Sequence, residues 1–316
     1  MTLGPTIAQR QLYANVEVGV TLHFMEQLEA NGPDPLMVLA EEMPSTAAVE
    51  EHFFLGDVPQ FREWTADRVM GSLMAHKFRI ANKDFSSGIP IHRNEIADDQ
   101  MGKVKPRIAG LAERAARHRG DYMMRSLIQG FGDNPFPEVG DGKGFDGVNF
   151  FSASHTLEGG PAQGNLKTAA LSEAALEAAE VALASLTTWD GKDPLQLRPT
   201  HLIVGPKNTA TAQKLVGAAV LINAAGTAAG SNIRLGKYQI VEAPRLIGAY
   251  DDYWFLAALG QATKPFIFQD REPITTAAQV DWSSPQMFNR GVMQFGAQAR
   301  YGIGPWDWRT IIGSKV

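Results

Sequence analysis

Asp146, Ser152, Ser154 and His155 lie within ten residues of one another and bring together a carboxylate, two hydroxyls and an imidazole. Those are the groups of acyl transfer, in which a base takes the nucleophile's proton and a third group orients the base. Neither serine stands in a Gly-x-Ser-x-Gly elbow. Hydrolysis through His155 is therefore an alternative reading and not the main one. Gly140-Asp141-Gly142-Lys143-Gly144 has the composition of a phosphate loop. It lacks the Gly-x4-Gly-Lys-Ser/Thr spacing, and no helix opens after it, so it reads as a connector. The pairs Asp98-Asp99 and Asp251-Asp252 lack the several further oxygens that calcium needs. They read as a helix cap and a turn. The 7 histidines form no His-Glu-x-x-His, and the absence of cysteine (Cys 0) removes thiolate nucleophiles, disulfides and Cys-ligated zinc or iron–sulfur sites. The sequence points to no cofactor, no metal and no enzyme.

The most strongly patterned element is a helix expected over Asp98 to Phe131. Met101, Val104, Ile108, Leu111, Ala115, His118 and Tyr122 recur at steps of three and four, so one face meets a core. Pro106 either opens this helix at its first turn or kinks it. The helix is rich in cations: Lys103, Lys105, Arg107, Arg114, Arg117, Arg119 and Arg125 face only Glu113 and Asp121, in a chain whose net charge is -5. Such a face is either an ordinary solvated surface or one turned toward a polyanion.

With 316 residues, 44% of them hydrophobic and 20% charged, the chain can fill one large core or two modest ones. The first twenty residues show no secretory signal, and the apolar run Val216 to Ala229 is too short and too interrupted to span a membrane. Residues 1 to about 45 read as an extended arm with a weakly helical piece around Val18 to Leu28. Lys77–Ile80 and Ile89–Arg93 read as two strands of a projecting loop, separated by turn residues; Pro90 confines the second to an edge. Ser172 is expected to cap a helix striped by Leu176, Ala179, Leu183 and Leu186. A helix is expected over roughly Asn208 to Ala218, and short strands at His201–Val204, Tyr238–Val241, Tyr253–Leu256 and Phe266–Gln269. Met293, Phe295, Ala297, Ala299, Tyr301 and Ile303 alternate with other residues in a long strand of antiparallel character.

Met43-Pro44-Ser45, Leu55-Gly56 with Pro59, Arg62-Glu63-Trp64, Ile80-Ala81-Asn82-Lys83-Asp84-Phe85, Arg93-Asn94-Glu95-Ile96 and Asp98-Asp99 occur in an order that resembles the Mu-like phage major head subunit family. Gly102, Pro106, Gly130, Phe145-Asp146-Gly147, Phe150-Phe151, His155 and Asn165 continue the likeness through residue 165. Beyond it the match rests on Leu202–Pro206, Tyr253–Leu256 and Lys264–Gln269. Ala97 and Ser86-Ser87 depart from the pattern. The resemblance implies an α+β, HK97-type capsid fold: N-terminal arm 1–51, E-loop 52–85, peripheral domain 86–131 and 263–304, axial domain 132–262 and C-terminal tail 305–316. It implies a major capsid protein that self-assembles, as hexamers and pentamers, into an icosahedral shell around the double-stranded DNA of a tailed phage. Separate scaffold or protease and portal proteins would be partners, with assembly in the host cytoplasm and no membrane. An encapsulin-like cargo shell is the alternative among assembling proteins. In a phage head, Arg107, Arg114, Arg117 and Arg125 are expected to face packaged DNA, and Phe53, Phe54, Leu55 and Trp64 to meet neighbouring subunits.

Overall fold

The computed structural model of the chain describes residues 7–54, 76–98, 101–156, 160–222, 229–281 and 284–316. In chain order these form α1 (Ile7–Asn31), β1 (Ala40–Pro44), β2 (Val49–Phe54), β3 (His76–Ala81), β4 (Lys83–His92), α2 (Arg93–Ala97), α3 (Met101–Gln129), β5 (Leu166–Lys167) and α4 (Glu173–Ala184). There follow β6 (His201–Val204), α5 (Pro206–Gly217), β7 (Val220–Ile222), β8 (Ala229–Ser231), β9 (Gln239–Glu242), β10 (Trp254–Ala257), β11 (Phe266–Gln279), α6 (Pro285–Arg290), β12 (Val292–Pro305) and β13 (Ile311–Ser314). Two compact units share the chain: Met1–Asp34, Asn82–Gly120 and Asp270–Gly302 form the first, and Pro35–Ala81, Asp121–Gln269 and Ile303–Val316 the second.

The first unit packs two helices on a sheet. Val104, Ile108 and Leu111 of α3 and Tyr13, Val16, Val20 and Phe24 of α1 share a core with Ile91, Met293, Phe295 and Ala297 from β4 and β12. The antiparallel register of β12 with β4 runs from Val292↔His92 to Tyr301↔Lys83. In the sheet order β1-β11-β12-β4, β4 is an outer strand, which is where Pro90 can stand without removing a ladder bond. Lys83, Asp84 and Ser86–Gly88, which looked like turn residues, lie in β4 instead, while Asn82 stands between β3 and β4. Gly88 lies opposite Gly296, and a Cβ there would sit 3.0 Å from the Phe295 carbonyl oxygen, so glycine permits the pairing rather than breaking it.

Helix α1 is the largest difference from expectation: the weakly helical piece expected around Val18 to Leu28 is part of a helix of 25 residues. Its core face is paired with a second apolar face, since Val18 and Leu22 are 58% and 59% exposed. Apolar residues on both sides erase the periodic contrast by which a helix is recognised. Helix α3 is continuous across Pro106 and begins at Met101. Asp98, expected to cap it, instead closes α2, whose start is held by a reciprocal capping box between His92 and Glu95.

In the second unit a five-stranded sheet has the order β5-β13-β10-β6-β9. Strand β10 is antiparallel to both β13 and β6, while β9 is parallel to β6 across the α5 crossover. All four residues of β10 are fully buried, as befits a central strand. Strand β13 lies inside the same sheet, with Ile311 and Ile312 at 0% exposure. Residues 307–314 are buried within this unit, so 305–316 is not a tail beyond it. Ser172 caps α4 as its sequence indicated, accepting from the Ala175 N–H at 3.2 Å. Among the described residues no helix is long and apolar enough to cross a membrane.

Candidate functional site

The residues with chemistry converge on a closed polar knot in the second unit. His155 Nδ1 lies 2.5 Å from Asp146 Oδ2, and both side chains are wholly buried. His155 Nε2 lies 3.2 Å from Asn165 Oδ1. The Asn165 amide is oriented by its own bonds: Nδ2 donates to the carbonyls of Phe150, Trp308 and Ile311, and Oδ1 accepts the Ser152 N–H at 3.0 Å. Each imidazole nitrogen thus faces an oxygen acceptor. Trp308 stacks on the ring, centroids 3.9 Å apart and 9° from parallel.

This arrangement does not assemble a nucleophile and base. Ser152 Oγ donates to the Ser154 carbonyl and accepts the Ser154 N–H, so it is engaged in its own loop. With both nitrogens of His155 taken up by Asp146 and Asn165, no serine hydroxyl among the described residues meets the ring. The knot does fasten three stretches of chain, 146–155, 165 and 308–311, into one buried structure. Asp251 and Asp252, weighed as cation ligands, hold the Lys207 ammonium at 3.3 Å and 2.6 Å. Gly142 of the phosphate-like loop adopts a left-handed backbone, φ 66°, where a Cβ would meet the Gln129 carbonyl at 2.3 Å. Gly142 therefore serves a close backbone crossing.

The four arginines of α3 divide. By helical phase Arg107, Arg114 and Arg125 fall within roughly 20° of one line and Arg117 about 80° to one side. Arg107 pairs with Glu95 at 3.3 Å and also donates to the Pro90 carbonyl. Arg117 meets Glu113 at 2.6 Å, and Arg125 meets Glu138 at 2.8 Å. Arg114 is exposed and has no ion-pair partner among the described residues. The cationic surplus read from the sequence is thus partly offset by carboxylates from outside the helix.

The four expected contact residues divide as well. Phe53 is 52% exposed on β2. Phe54 is a correction: it is buried inside its own unit, stacked on Phe145 with centroids 4.0 Å apart and capped by Arg309 at 5.1 Å. The β2 pleat sends adjacent side chains to opposite faces, so the two phenylalanines cannot share a role. Leu55 and Trp64 lie outside the described residues.

The mixed helix-and-sheet architecture defines the class: the fold is that of tailed-phage capsid subunits of the HK97 type. The chain superimposes on the procapsid of bacteriophage JBD30 with a TM-score of 0.57 at 21% identity, covering 99% of this chain and 76% of that one. The capsid of the native GTA particle matches with a TM-score of 0.51 at 16% identity, over 89% of each chain. The profile described as Mu-like prophage major head subunit gpT matches residues 14–170, 162–246 and 245–316. The chain belongs to that family and is a major capsid protein. It is 23% identical over 298 residues to the Mu-like prophage FluMu major head subunit of Haemophilus influenzae, covering 94% of this chain and 71% of that protein. A shorter match, 27% identical over 127 residues, joins it to the major capsid protein of Escherichia phage Mu, over 40% of this chain and 39% of the other.

Proposed function

We propose that the chain forms hexameric and pentameric rings that close into a shell around double-stranded DNA, with scaffold or protease and portal supplied by separate proteins in the host cytoplasm. The first unit carries most of the peripheral domain, 86–131 and 263–304, and the second the axial domain, 132–262. Residues 52–85, including Leu55 and Trp64, form the E-loop that reaches a neighbouring subunit, and Phe53 meets that neighbour beside them.

The row on α3 is the inner, DNA-facing surface of this shell. The observation that carries this is Arg114, exposed and without a carboxylate partner among the described residues, in a row where Arg107 and Arg125 hold theirs only through solvent-accessible ion pairs. Pairs of that kind are worth less than about 1 kcal/mol, so a phosphate can replace the carboxylate at little cost. Contacts of this type release counterions and are indifferent to base sequence. Reversing Arg114 and Arg117 together to glutamate should leave empty shells forming while lowering the DNA retained in filled heads. Normal packaging by the double variant would end the lumenal assignment without touching the capsid assignment.

A further inference from the structure

The groups around His155 fix how many protons the buried knot holds. An amide and an imidazole can each be placed two ways round, and here the neighbours allow one way for each. Asn165 Nδ2 lies among three carbonyls, those of Phe150 at 2.9 Å, Trp308 at 3.1 Å and Ile311 at 3.2 Å, while Oδ1 accepts the Ser152 N–H. Oδ1 is therefore the atom that meets His155 Nε2 at 3.2 Å, and Nε2 must carry a hydrogen, since a bare nitrogen there would set two buried acceptors face to face. Turning the ring over would put carbon at the 2.5 Å contact with Asp146 Oδ2, so Nδ1 is the atom in that place. A bare nitrogen that close to a carboxylate oxygen would again oppose two lone pairs, so a second proton lies between them. The pair thus holds two protons, one more than a neutral imidazole beside a free carboxylate.

We propose that the knot is a proton-binding site: one proton, taken up on folding and shared by Asp146 and His155, fastens the loop 146–155 and Asn165 to the C-terminal stretch 308–311. Every group in it belongs to one chain, so the site stands independently of ring and shell formation. The surroundings suit an imidazolium. The Trp308 indole covers one face of the ring, and a π face attracts a cation. The other oxygen of Asp146, Oδ1, accepts the Val148 N–H at 3.2 Å, as a carboxylate does. Asp307 and Arg309, the charged residues on either side of Trp308, are closed on each other, Nε to Oδ1 at 3.0 Å and Nη2 to Oδ2 at 3.0 Å. Asp146 is thus the counter-charge within hydrogen-bond reach of the ring among the described residues. An ordinary histidine gives up its proton near pH 6.5. Above that pH the unfolded chain has released a proton that the folded chain keeps, so the stability it confers is complete below pH 6.5 and shrinks as pH rises. The chain has no cysteine, so histidines are the side chains that ordinarily titrate near pH 7 to 8. Burial lowers His52 and His201, which removes both from that window.

Nitrogen NMR of the full-length wild-type chain, with histidine labelled at both ring nitrogens, reads these protons directly at pH 8. His155 is identified by through-space transfer to the indole it stacks on, so no variant that might fail to fold is needed. The proposal predicts hydrogens on both of its ring nitrogens. Denaturant unfolding of the same chain should show the ratio of unfolded to folded protein rising about eightfold from pH 7 to pH 8, the linkage expected when unfolding releases one proton. A bare ring nitrogen on the histidine that contacts Trp308 overturns the proposal, and so does an unfolding ratio that stays constant over that interval. Either result leaves the capsid assignment untouched, because no part of the knot enters it.

Discussion

His155 lies flat against the indole of Trp308, 3.9 Å between centroids, while its Nδ1 meets the buried Asp146 carboxylate at 2.5 Å. The residues that most resembled a catalytic pair thus form a fastener between a central loop and the C-terminal segment. Removing one partner of a wholly buried hydrogen-bonded pair leaves the other unsatisfied and typically costs about 1–3 kcal/mol. D146A should therefore lower the melting temperature sharply. S152A removes only bonds within an exposed loop and should cost about 1 kcal/mol or less. Equal losses from the two variants in thermal melts would contradict the assignment.

Phe53 and Phe54 are adjacent and should fail differently. F54A removes a ring packed on Phe145 and Arg309 and should destabilise the subunit by about 3 kcal/mol. F53A should leave the melt nearly unchanged and reduce assembly. Denaturant titration together with shell yield checks the pair, and the reverse pattern would contradict it.

Strand β13 is an interior strand, so the second unit should be unable to form without it. I312D places a charge at a position of 0% exposure, paired with Leu256. Its expected outcome is insoluble or unfolded protein, since an unpaired charge in a core costs several kcal/mol, roughly the stability of a whole domain. Soluble protein with a wild-type melt by circular dichroism would mean that 305–316 is a free tail after all.

Acid should loosen the cluster in which Glu180 takes the Arg234 guanidinium at 2.9 Å and the Lys237 ammonium at 3.2 Å. Burial alone would raise the Glu180 carboxyl, but the hydrogen bonds from Tyr238, Arg234 and Lys237 outweigh it and hold the carboxyl below its ordinary value of 4.5. Glu50 is lowered likewise, by the N–H groups of Ala47 and Thr46 and the Ser45 hydroxyl. Groups titrating lower in the folded state stabilise it above their unfolded value, and the contribution is lost as pH falls through the folded one. Their contribution to the melting temperature should thus be flat near neutrality and fall below pH 4.5. In E180Q the part of that fall due to Glu180 should disappear, and an unchanged acid profile would contradict this role for Glu180.

What could be read from the sequence was what repeats locally. Helix α3, the Ser172 cap of α4 and the alternation of Met293, Phe295 and Ala297 each carry their own period or cap, and the structure has all three. Helix α1 was legible only as a weakly helical piece around Val18 to Leu28, because Val18 and Leu22 fill the side opposite its core face. Strand β13 escaped because a short apolar pair names no partner, and its neighbours on β10 lie more than fifty positions earlier. The roles of His155 and Arg234 were set by distance: Asn165 reaches Trp308 across 143 positions, and Arg234 reaches Glu180 across 54. No local pattern reports contacts of that separation. The resemblance to a head subunit family supplied the function, because its motifs keep their order over residues 43 to 165.

The most direct test of the account is an electron micrograph of the purified wild-type chain produced together with its assembly partners. The account predicts closed, angular shells of roughly uniform size, built of five- and six-membered rings of a single repeating subunit. A field of monodisperse single subunits under the same conditions, with the protein folded by circular dichroism, would contradict it.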